Sequence, residues 1–558
     1  MPRQFFNRPS CTSQIVRWFA ASAAMFATAC TPPAGRQPVQ SSHADATSRE
    51  QDVLAKSSDE LLADPNLQDS AGSKGDGRVE SVRLGTVRSV KLTQPITASA
   101  EEAEDIQQLV GKLAAIESPD FGLSGTLTGD AFLPIEGKTD FSAGLITDHR
   151  LKSSDELRKL VAYGPKALPF LLAALDDNTK TKLKMEHGGG FGGMTFENEM
   201  SGNPVNAREQ LVLAGKAEGH ERTQHVNEYT VTVGDVCFVA IGQIVGRWYN
   251  AVRYQPTNNI ILSSPAHDAK LREMVRAIWA SDDAGQTLLD SLLLDYATEG
   301  IFNGHSLDGW DVGGRLQSTA AMRLLYYYPK ESAGFIVQRI DKLDLTPTEP
   351  DKDDLGLYMK QCVANGVRAD GFIEAIAWCD EPAILAALSR AFERAGDLSV
   401  ALATEPAAAK SKPELVRTTL AKRIGELPED DKGPYADGYA LLVALGKLGG
   451  DQAKRAFEQY STPLTTSRRH TTCLALREVR GEWAIDLLAP FLNDRRELDR
   501  WTYAVDFAQN ERRLPIRICD EAATTIALAN EDLKFEMQGD RARLDFQIQA
   551  MQSVLKMK

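Results

Sequence analysis

Two pairs of segments recur along this chain in the same order, and this recurrence constrains the fold more than any other feature. PKALPFLLAALDD (165–177) aligns without gaps with EWAIDLLAPFLND (482–494). VTVGDVCFVAIG (231–242), downstream of the first, aligns in the same way with IRICDEAATTIA (516–527), downstream of the second. A pair of segments that recurs in order indicates repeated supersecondary units.

The first copy and the residues before it predict two short helices with a break at Gly164-Pro165. Apolar residues recur at helical spacing on both sides of the break. They are Leu157, Leu160 and Val161 before it and Leu168, Leu171, Leu172 and Leu175 after it. Helices this short are marginal in water unless a neighbour covers their apolar side, so we expect further helices to stack against them.

Each second segment contains an aspartate just before a run of small and apolar residues. This residue is Asp235 in the first copy and Asp520 in the second. A carboxylate at this point can accept hydrogen bonds from the free N–H groups that open a helix. We therefore expect both aspartates to have a structural role.

The complete pattern resembles the HEAT-like helical repeat family, in which a Gly-Pro-x-Ala-Leu-Pro-x-Leu helix precedes an Ile/Val-Arg-x-x-Asp/Ala-Ala helix. Residues 165–177 and 516–527 carry the resemblance, and weaker copies lie at 315–340 and 436–460. The resemblance implies an all-α fold, a HEAT-like α-solenoid, for residues 151–558. Solenoids of this kind offer an extended curved surface to partners.

The first copy departs from the family by a long insertion at about 178–228, which contains MEHGGGFGGMTFENEMSGNP. Because the insertion is dense in glycine and poor in aliphatic residues, it predicts an inserted loop without a core of its own. Loops of this length are usually functional or disordered. HGGGFGG (187–193) looks like the oxyanion-hole segment of lipases and esterases, but the sequence has no G-x-S-x-G nucleophile elbow.

Two histidines of the insertion, His220 and His225, lie near Glu221 and Asp235 and are the first candidates for a metal or acid–base site. Their spacing of five residues does not place both rings on one helix face. The sequence also has no C-x-x-C, phosphate-binding loop or dinucleotide fingerprint. We therefore assign no metal ligand, catalytic residue or cofactor, and keep an exported hydrolase or metal-dependent enzyme with its site near 186–235 as the alternative.

Aromatic residues beside arginine suggest a different class of function, the binding of another protein. Trp, Tyr and Arg are enriched at the energetic centres of protein interfaces. The predicted partner-binding residues are Trp248, Tyr249, Arg253, Tyr254 and Phe191. The alternative is that Trp and Tyr are buried between the helical layers, as is routine in helical repeats.

The first residues resemble a bacterial lipoprotein signal. Three arginines precede the apolar run WFAASAAMFATA, which is too short to span a bilayer, and the run meets ATAC at 27–30. The resemblance implies that residues 1–29 are removed and that the sulfur of Cys30 is acylated. The protein would then be anchored in the cell envelope on a membrane facing the periplasm, with secretion as a soluble protein as the alternative.

The chain after the signal divides by composition. Residues 30–80 are polar and of low complexity, which predicts a flexible tether. Residues 81–150 predict a small mixed segment, with a strand over 82–92 and a helix over 100–116 that a capping box at Ser99 begins.

The formal net charge of −14 gives no support to a nucleic-acid surface, which would need a basic stripe. The sequence therefore predicts a membrane-tethered repeat lipoprotein that acts as a protein-interaction scaffold for an unknown protein partner. A scaffold whose repeats merely space other elements is a further option.

Overall fold

The computed structural model forms two compact units, the first from residues within 1–334 and 350–376 and the second from residues within 335–349 and 377–558. The described residues are 81–84, 89–117, 131–135, 154–188, 192–197, 224–247, 249–254, 259–301, 313–343, 345, 369–428, 437–462, 465–481, 483–505, 511–530 and 532–557.

Most described residues are helical, which confirms the predicted helical class of the fold. The α-helices up to the end of the first unit are α1 Ala100–Lys112, α2 Asp155–Tyr163, α3 Leu168–Ala173, α4 Val233–Val245, α5 Ala269–Trp279, α6 Ala284–Ala297, α7 Gly313–Tyr327, α8 Pro329–Lys342 and α9 Ala369–Ile376. Those that follow are α10 Pro382–Arg394, α11 Leu398–Ser411, α12 Pro413–Glu426, α13 Asp437–Leu448, α14 Asp451–Ser461, α15 Thr466–Val479, α16 Trp483–Leu488, α17 Ile518–Ala529 and α18 Arg541–Met557.

Short strands connect some of these helices. They are β1 Ser81–Leu84, β2 Lys180–Glu186, β3 Gly193–Phe196, β4 Gln224–Val226, β5 Glu228–Thr232, β6 Val252–Tyr254, β7 Asn259–Leu262, β8 Thr298–Ile301, β9 Glu497–Val505 and β10 Glu511–Arg517. Strands β1 and β8, β2 and β5, and β9 and β10 form antiparallel pairs. A four-stranded sheet has the order β4-β3-β7-β6, in which only β3 and β7 are parallel.

The recurring segments of the sequence form one structural unit, here called the repeat module. In the first unit it consists of α3 with the 3-10 turn Ala174–Asp176, then strands β2 and β5, then α4. In the second unit it consists of α16 with the 3-10 turn Ala489–Asn493, then β9 and β10, then α17. Each module is therefore a pair of helices joined by an antiparallel two-stranded ribbon.

The ribbons correct the predicted inserted loop. Strand β2 alternates between exposed and buried residues, with Thr181, Leu183 and Met185 on the buried side. This period of two is a strand signal that the overall glycine content of the insertion concealed. Among the described residues of the insertion, β3 and β4 also form strands and join the four-stranded sheet.

The predicted break between two short helices is confirmed. Helix α2 ends at Tyr163, and a 3-10 turn at Gly164–Lys166 leads into α3. Gly164 has a φ of 56°, and a Cβ at this position would lie 2.3 Å from Cε1 of Tyr327. Glycine is therefore required here both by the backbone conformation and by the ring packed against it.

The segment before α1 follows the prediction only in part. Strand β1 ends at Leu84, whereas residues 89–92 form no strand and lie along α6. Gln286 of α6 donates its side-chain amide to the Val90 carbonyl at 2.9 Å and accepts the N–H of Leu92 at 2.9 Å. Helix α1 begins with the predicted Ser99 capping box.

Buried charges fix the carboxyl end of α4 in the first unit. The Arg247 guanidinium donates two hydrogen bonds to the Asp295 carboxylate, at 2.7 and 3.0 Å, and both side chains are almost fully buried. The buried Arg323 donates to the carbonyl oxygen of Gln243 in the last turn of α4, at 2.7 Å. A cation at this end of a helix also interacts favourably with the helix dipole.

Candidate interaction surface

Strands β3 and β4 of the insertion are paired into the four-stranded sheet with β7 and β6. Strand β3 lies inside this sheet, between β4 and β7, and its Met194 and Thr195 are buried. Phe196, the last residue of β3, is half-buried, and the N–H of the next residue, Glu197, donates to the Leu262 carbonyl of β7 at 3.0 Å. The backbone beneath Phe196 is therefore held on both sides.

Three aromatic side chains meet at this end of β3, and we call Phe196, Tyr229 and His267 the aromatic patch. The exposed His267 ring stacks on the Phe196 ring, with centroids 4.1 Å apart and an angle of 18° between the planes. The half-buried Tyr229 ring meets Phe196 edge-on, with centroids 5.3 Å apart. The Tyr229 and His267 rings combine an apolar face with a polar group, and such rings suit contacts with another protein.

A hydrogen-bond network around the buried Asp235 and Ser264 side chains holds two members of the patch. The Tyr229 hydroxyl donates to the Asp235 carboxylate in the first turn of α4 and lies 2.9 Å from Ser264 Oγ. Ser264 Oγ in turn donates to Asp235 Oδ1 at 2.5 Å, and the His267 backbone N–H donates to Ser264 Oγ at 3.1 Å. Two members of the patch are thereby joined to the start of α4.

Asp235 itself has the structural role that the sequence predicts. Its Oδ2 accepts the backbone N–H of Thr232 at 2.8 Å, and its own N–H donates to Thr232 Oγ1 at 3.3 Å, which completes a capping box. Burial raises the pKa of the Asp235 carboxyl, and the hydrogen bonds from Ser264, Tyr229 and Thr232 oppose that shift. Burial also raises the pKa of the Tyr229 hydroxyl, and the adjacent carboxylate raises it further.

Of the four residues suspected of metal binding, the structure describes Asp235 and His225. Both carboxylate oxygens of Asp235 are occupied by internal donors. His225 is an exposed residue of β4 and pairs with Thr195 across the ladder. His220 and Glu221 lie outside the described residues. Within the ranges that the structure describes, no group of three or more His, Cys, Asp or Glu side chains could hold a metal ion.

The residues predicted to bind a partner differ in how far the structure buries them, and some lie outside the described residues. Tyr249 is 1% exposed; its ring stacks on Phe238 with centroids 4.6 Å apart, and its hydroxyl accepts from Trp279 Nε1 at 2.9 Å. Tyr249 therefore follows the alternative prediction, burial between helical layers, because a ring packed between α4 and α5 cannot reach a partner. Arg253 is half-buried in β6, opposite Ile261, and Tyr254 ends the same strand. Trp248, Phe191 and the lipidation residue Cys30 lie outside the described residues.

The three residues of the aromatic patch were missed by the sequence analysis. Phe196 ends the run GMTF, whose two central residues are both buried and whose two ends are half-buried, so the run has no alternation that would mark a strand in the sequence. His267 lies in a turn after β7, and its neighbour in space is fixed by the parallel pairing of β3 with β7, which are more than sixty residues apart. A pairing between such distant strands leaves no local signal in the sequence.

Comparisons of the chain with protein-family models, with curated proteins and with solved structures gave no match. Among the helices of the described residues, none combines the length and the apolar character needed to cross a membrane.

Proposed function

We propose that the protein is a membrane-tethered, HEAT-like repeat lipoprotein that acts as a protein-interaction scaffold in the bacterial cell envelope. In this proposal the aromatic patch binds the protein partner, and Cys30 carries the lipid. The recurrence of the helix–ribbon–helix module supports a repeat-built body. The arrangement of the repeats as a solenoid is part of the proposal.

The observation that carries the proposal is the aromatic patch itself. Its three rings are partly exposed, yet each is held in place, Phe196 by its strand, Tyr229 by the Asp235 carboxylate and His267 through the backbone bond to Ser264. Rigid aromatic groups lose little conformational entropy on binding, which is why Tyr and Trp dominate the energetic centres of interfaces. A partner that covers these rings would offer apolar groups and a hydrogen-bond acceptor.

The test of the patch is crosslinking of the tethered protein in its own envelope, followed by identification of what is captured. We expect Phe196→Ala and His267→Ala to reduce recovery of the partner at least tenfold, because a residue at the centre of an interface contributes about 1.4 kcal/mol or more. Leu415→Ala is the matched control, since Leu415 is an exposed apolar residue of α12 in the other unit. Unchanged recovery by both patch variants would show that this surface does not bind the partner.

The lipid anchor is tested separately, by fractionation of membranes. Cys30→Ser should release the protein from the membrane fraction, because acylation of that sulfur supplies the buried methylene groups that hold it. Cys11→Ser is the control, since Cys11 precedes the expected cleavage point and should leave the anchor intact. Membrane retention of the Cys30→Ser variant would contradict the anchoring.

A further inference from the structure

Residues 89–97, which we call the strap, lead into α1 without helix or strand structure of their own. Ahead of the strap, β1 pairs antiparallel with β8, the strand that follows α6. The strap itself then contacts Gln286 and Gly285 in the first turn of α6. This part of the chain therefore runs from the end of α6 back to its start, as a peptide bound on the surface of the helix would.

The side-chain amide of Gln286 holds the backbone of the strap at two points. Its Nε2 donates to the Val90 carbonyl oxygen, and its Oε1 accepts the N–H of Leu92, both at 2.9 Å. One amide group thus supplies the donor and the acceptor that a neighbouring strand would supply. Nε2 also donates to Oδ1 of Asp290, one turn further along α6, at 2.8 Å, which fixes the orientation of the amide. Recognition of a backbone in this way does not depend on the side chains of the bound segment.

The surface of α6 beside Gln286 has no side chain where the strap comes closest. A Cβ on the buried Gly285 would lie 2.9 Å from Cβ of Ile96 and 3.3 Å from the Ile96 backbone nitrogen. Neither atom is the end of a flexible side chain, so the strap itself would have to shift. Glycine is less favourable than alanine within a helix, and Gly285 has no left-handed φ that would require it. We infer that this glycine serves the approach of the strap.

The remaining contact between the strap and the body is small. Val90, Leu92 and Ile96 are half-buried, and most of the other residues of the strap are exposed. Among the residues that the structure describes, the strap makes no hydrogen bond to the body other than the two with Gln286. Segments with so few buried contacts open at a free energy well below that of global unfolding.

We propose that the strap is an internal peptide ligand of α6, which leaves the helix while the body of the first unit stays folded, and which a second peptide of the same chemistry replaces. The ligand class is a segment with a C=O and an N–H two residues apart for the Gln286 amide, followed by an apolar side chain for the bare surface at Gly285. Leu92 and Ile96 have this spacing in the strap. This inference does not rest on the proposed scaffold function or on the aromatic patch.

Trypsin measures the release of the strap. Lys91 is exposed, but the strap must leave α6 before the bond between Lys91 and Leu92 can enter the site of a protease. In the full-length Cys30→Ser chain, we expect this bond to be cut at least about tenfold faster in Gln286→Ala, because both hydrogen bonds to the strap are lost. Products are identified by mass, which separates this cut from others.

Gln108→Ala is the matched control for this measurement. Gln108 is an exposed glutamine of α1 whose amide donates to Glu104 of the same helix, at 3.3 Å. The cut after Lys91 should stay within twofold of the parent chain in this variant. A cut that is equally fast in Gln286→Ala and in the parent chain would overturn the proposal.

Gly285→Ala separates release of the strap from loss of stability in the body. The added methyl group displaces Ile96, whereas alanine favours α6 itself. We expect the cut after Lys91 to be at least about fivefold faster, with a thermal unfolding midpoint that is unchanged or higher. An unchanged cut, or a midpoint that falls as the cut accelerates, would show that the strap does not open as a separate unit.

Replacement of the strap is measured by the fluorescence anisotropy of a labelled peptide of residues 89–98. The chain's own strap competes at a high effective concentration, so the Leu92→Pro chain, whose strap lacks the N–H that Gln286 accepts, serves as the open form. We expect the peptide to bind this variant at least about tenfold more tightly than the parent chain. Adding Gln286→Ala to the variant should remove the gain.

A peptide that is N-methylated at Leu92 is the control, because it lacks the same N–H and keeps every side chain. It should bind the Leu92→Pro chain no better than it binds the parent chain. Equal affinity of the unmodified peptide for the two chains, or a gain that Gln286→Ala leaves unchanged, would show that the start of α6 is not an exchangeable peptide site.

Discussion

The two repeat modules share one backbone arrangement and differ in the side chains that stabilise it. In the first module the N–H of Val233 donates to the Thr179 carbonyl and the N–H of Gly234 to the Asp177 carbonyl, both at 2.9 Å. In the second module the N–H of Ile518 donates to the Arg496 carbonyl and the N–H of Cys519 to the Asp494 carbonyl, at 3.0 and 2.9 Å. The aligned sequence positions thus make the same hydrogen bonds.

The same carboxylate opens the second helix of each module, but its other partners have different charges. Oδ2 of Asp235 and of Asp520 accepts a backbone N–H three residues earlier, at 2.8 and 2.9 Å. Asp235 is otherwise surrounded by the hydroxyl groups of Tyr229 and Ser264. Asp520 instead receives the guanidinium groups of Arg517 and Arg541. One helix start is therefore stabilised by neutral donors and the other by ion pairs.

The largest expected difference between the modules comes from removing the charge of this carboxylate. Arg517, whose side chain is only 8% exposed, forms ion pairs with Asp520 and with the more exposed Asp545. Asp520→Asn removes the buried one of these two carboxylates, and we expect a loss of about 3 kcal/mol. Asp235→Asn keeps an acceptor for neutral donors and should cost about 1 kcal/mol. Amide hydrogen exchange in the first turns of α17 and α4 measures both. Equal losses would show that the charge of the partners does not matter.

The modules also differ in the space available to a side chain in the first turn of the second helix, α4 or α17. A Cβ on Gly234 would lie 2.6 Å from the Leu175 carbonyl oxygen, whereas the aligned position in the second module is occupied by Cys519. We expect Gly234→Ala to destabilise the first module by about 2 kcal/mol, because a backbone atom cannot move aside as a side chain can. Cys519→Ala, the matched change, should cost about 1 kcal/mol. Thermal unfolding and exchange in α4 would detect the difference, and a neutral Gly234→Ala would contradict it.

The module also shows how far the sequence could predict this fold. The helix break at Gly164, the cap at Ser99 and the helix starts at Asp235 and Asp520 were predictable, because each depends on residues within a turn of one another. The first ribbon was missed because the glycine content of the whole insertion outweighed the alternation of β2, which is itself a local strand signal. Pairing of β3 with β7 and the aromatic patch depend on contacts between distant residues, which a single sequence does not reveal.

The modules should also respond to acid in opposite directions. Hydrogen bonds and charge from Arg496, together with Arg469, lower the pKa of Asp494 to about 2. A lowered pKa stabilises the fold above pH 4, and that contribution, about 2 kcal/mol, is lost as the pH falls from about 4 towards 2. The raised pKa of Asp235 has the opposite effect on stability, because protonation of this carboxyl in acid removes a buried charge.

Hydrogen exchange at pH 6 and pH 3, corrected for the intrinsic rate, tests this contrast. The start of α17 should lose protection relative to the start of α4, and Asp494→Asn should remove most of the loss. A parallel decline of both helices, or a loss that Asp494→Asn leaves unchanged, would contradict the assignment to Asp494.

The smallest expected effect separates the support of the aromatic patch from its recognition. Tyr229→Phe removes one donor to Asp235 and keeps the ring against Phe196, so the first module should lose about 1 kcal/mol. Because that hydrogen bond lowers the pKa of Asp235, its removal should raise this pKa further. Exchange in α4 as a function of pH measures both changes.

The Tyr229→Phe ring remains in place, so partner recovery should stay within twofold of the parent chain, in contrast to Phe196→Ala. A Tyr229→Phe chain that is as stable as the parent but captures no partner would show that the hydroxyl acts at the interface and that Asp235 does not depend on it.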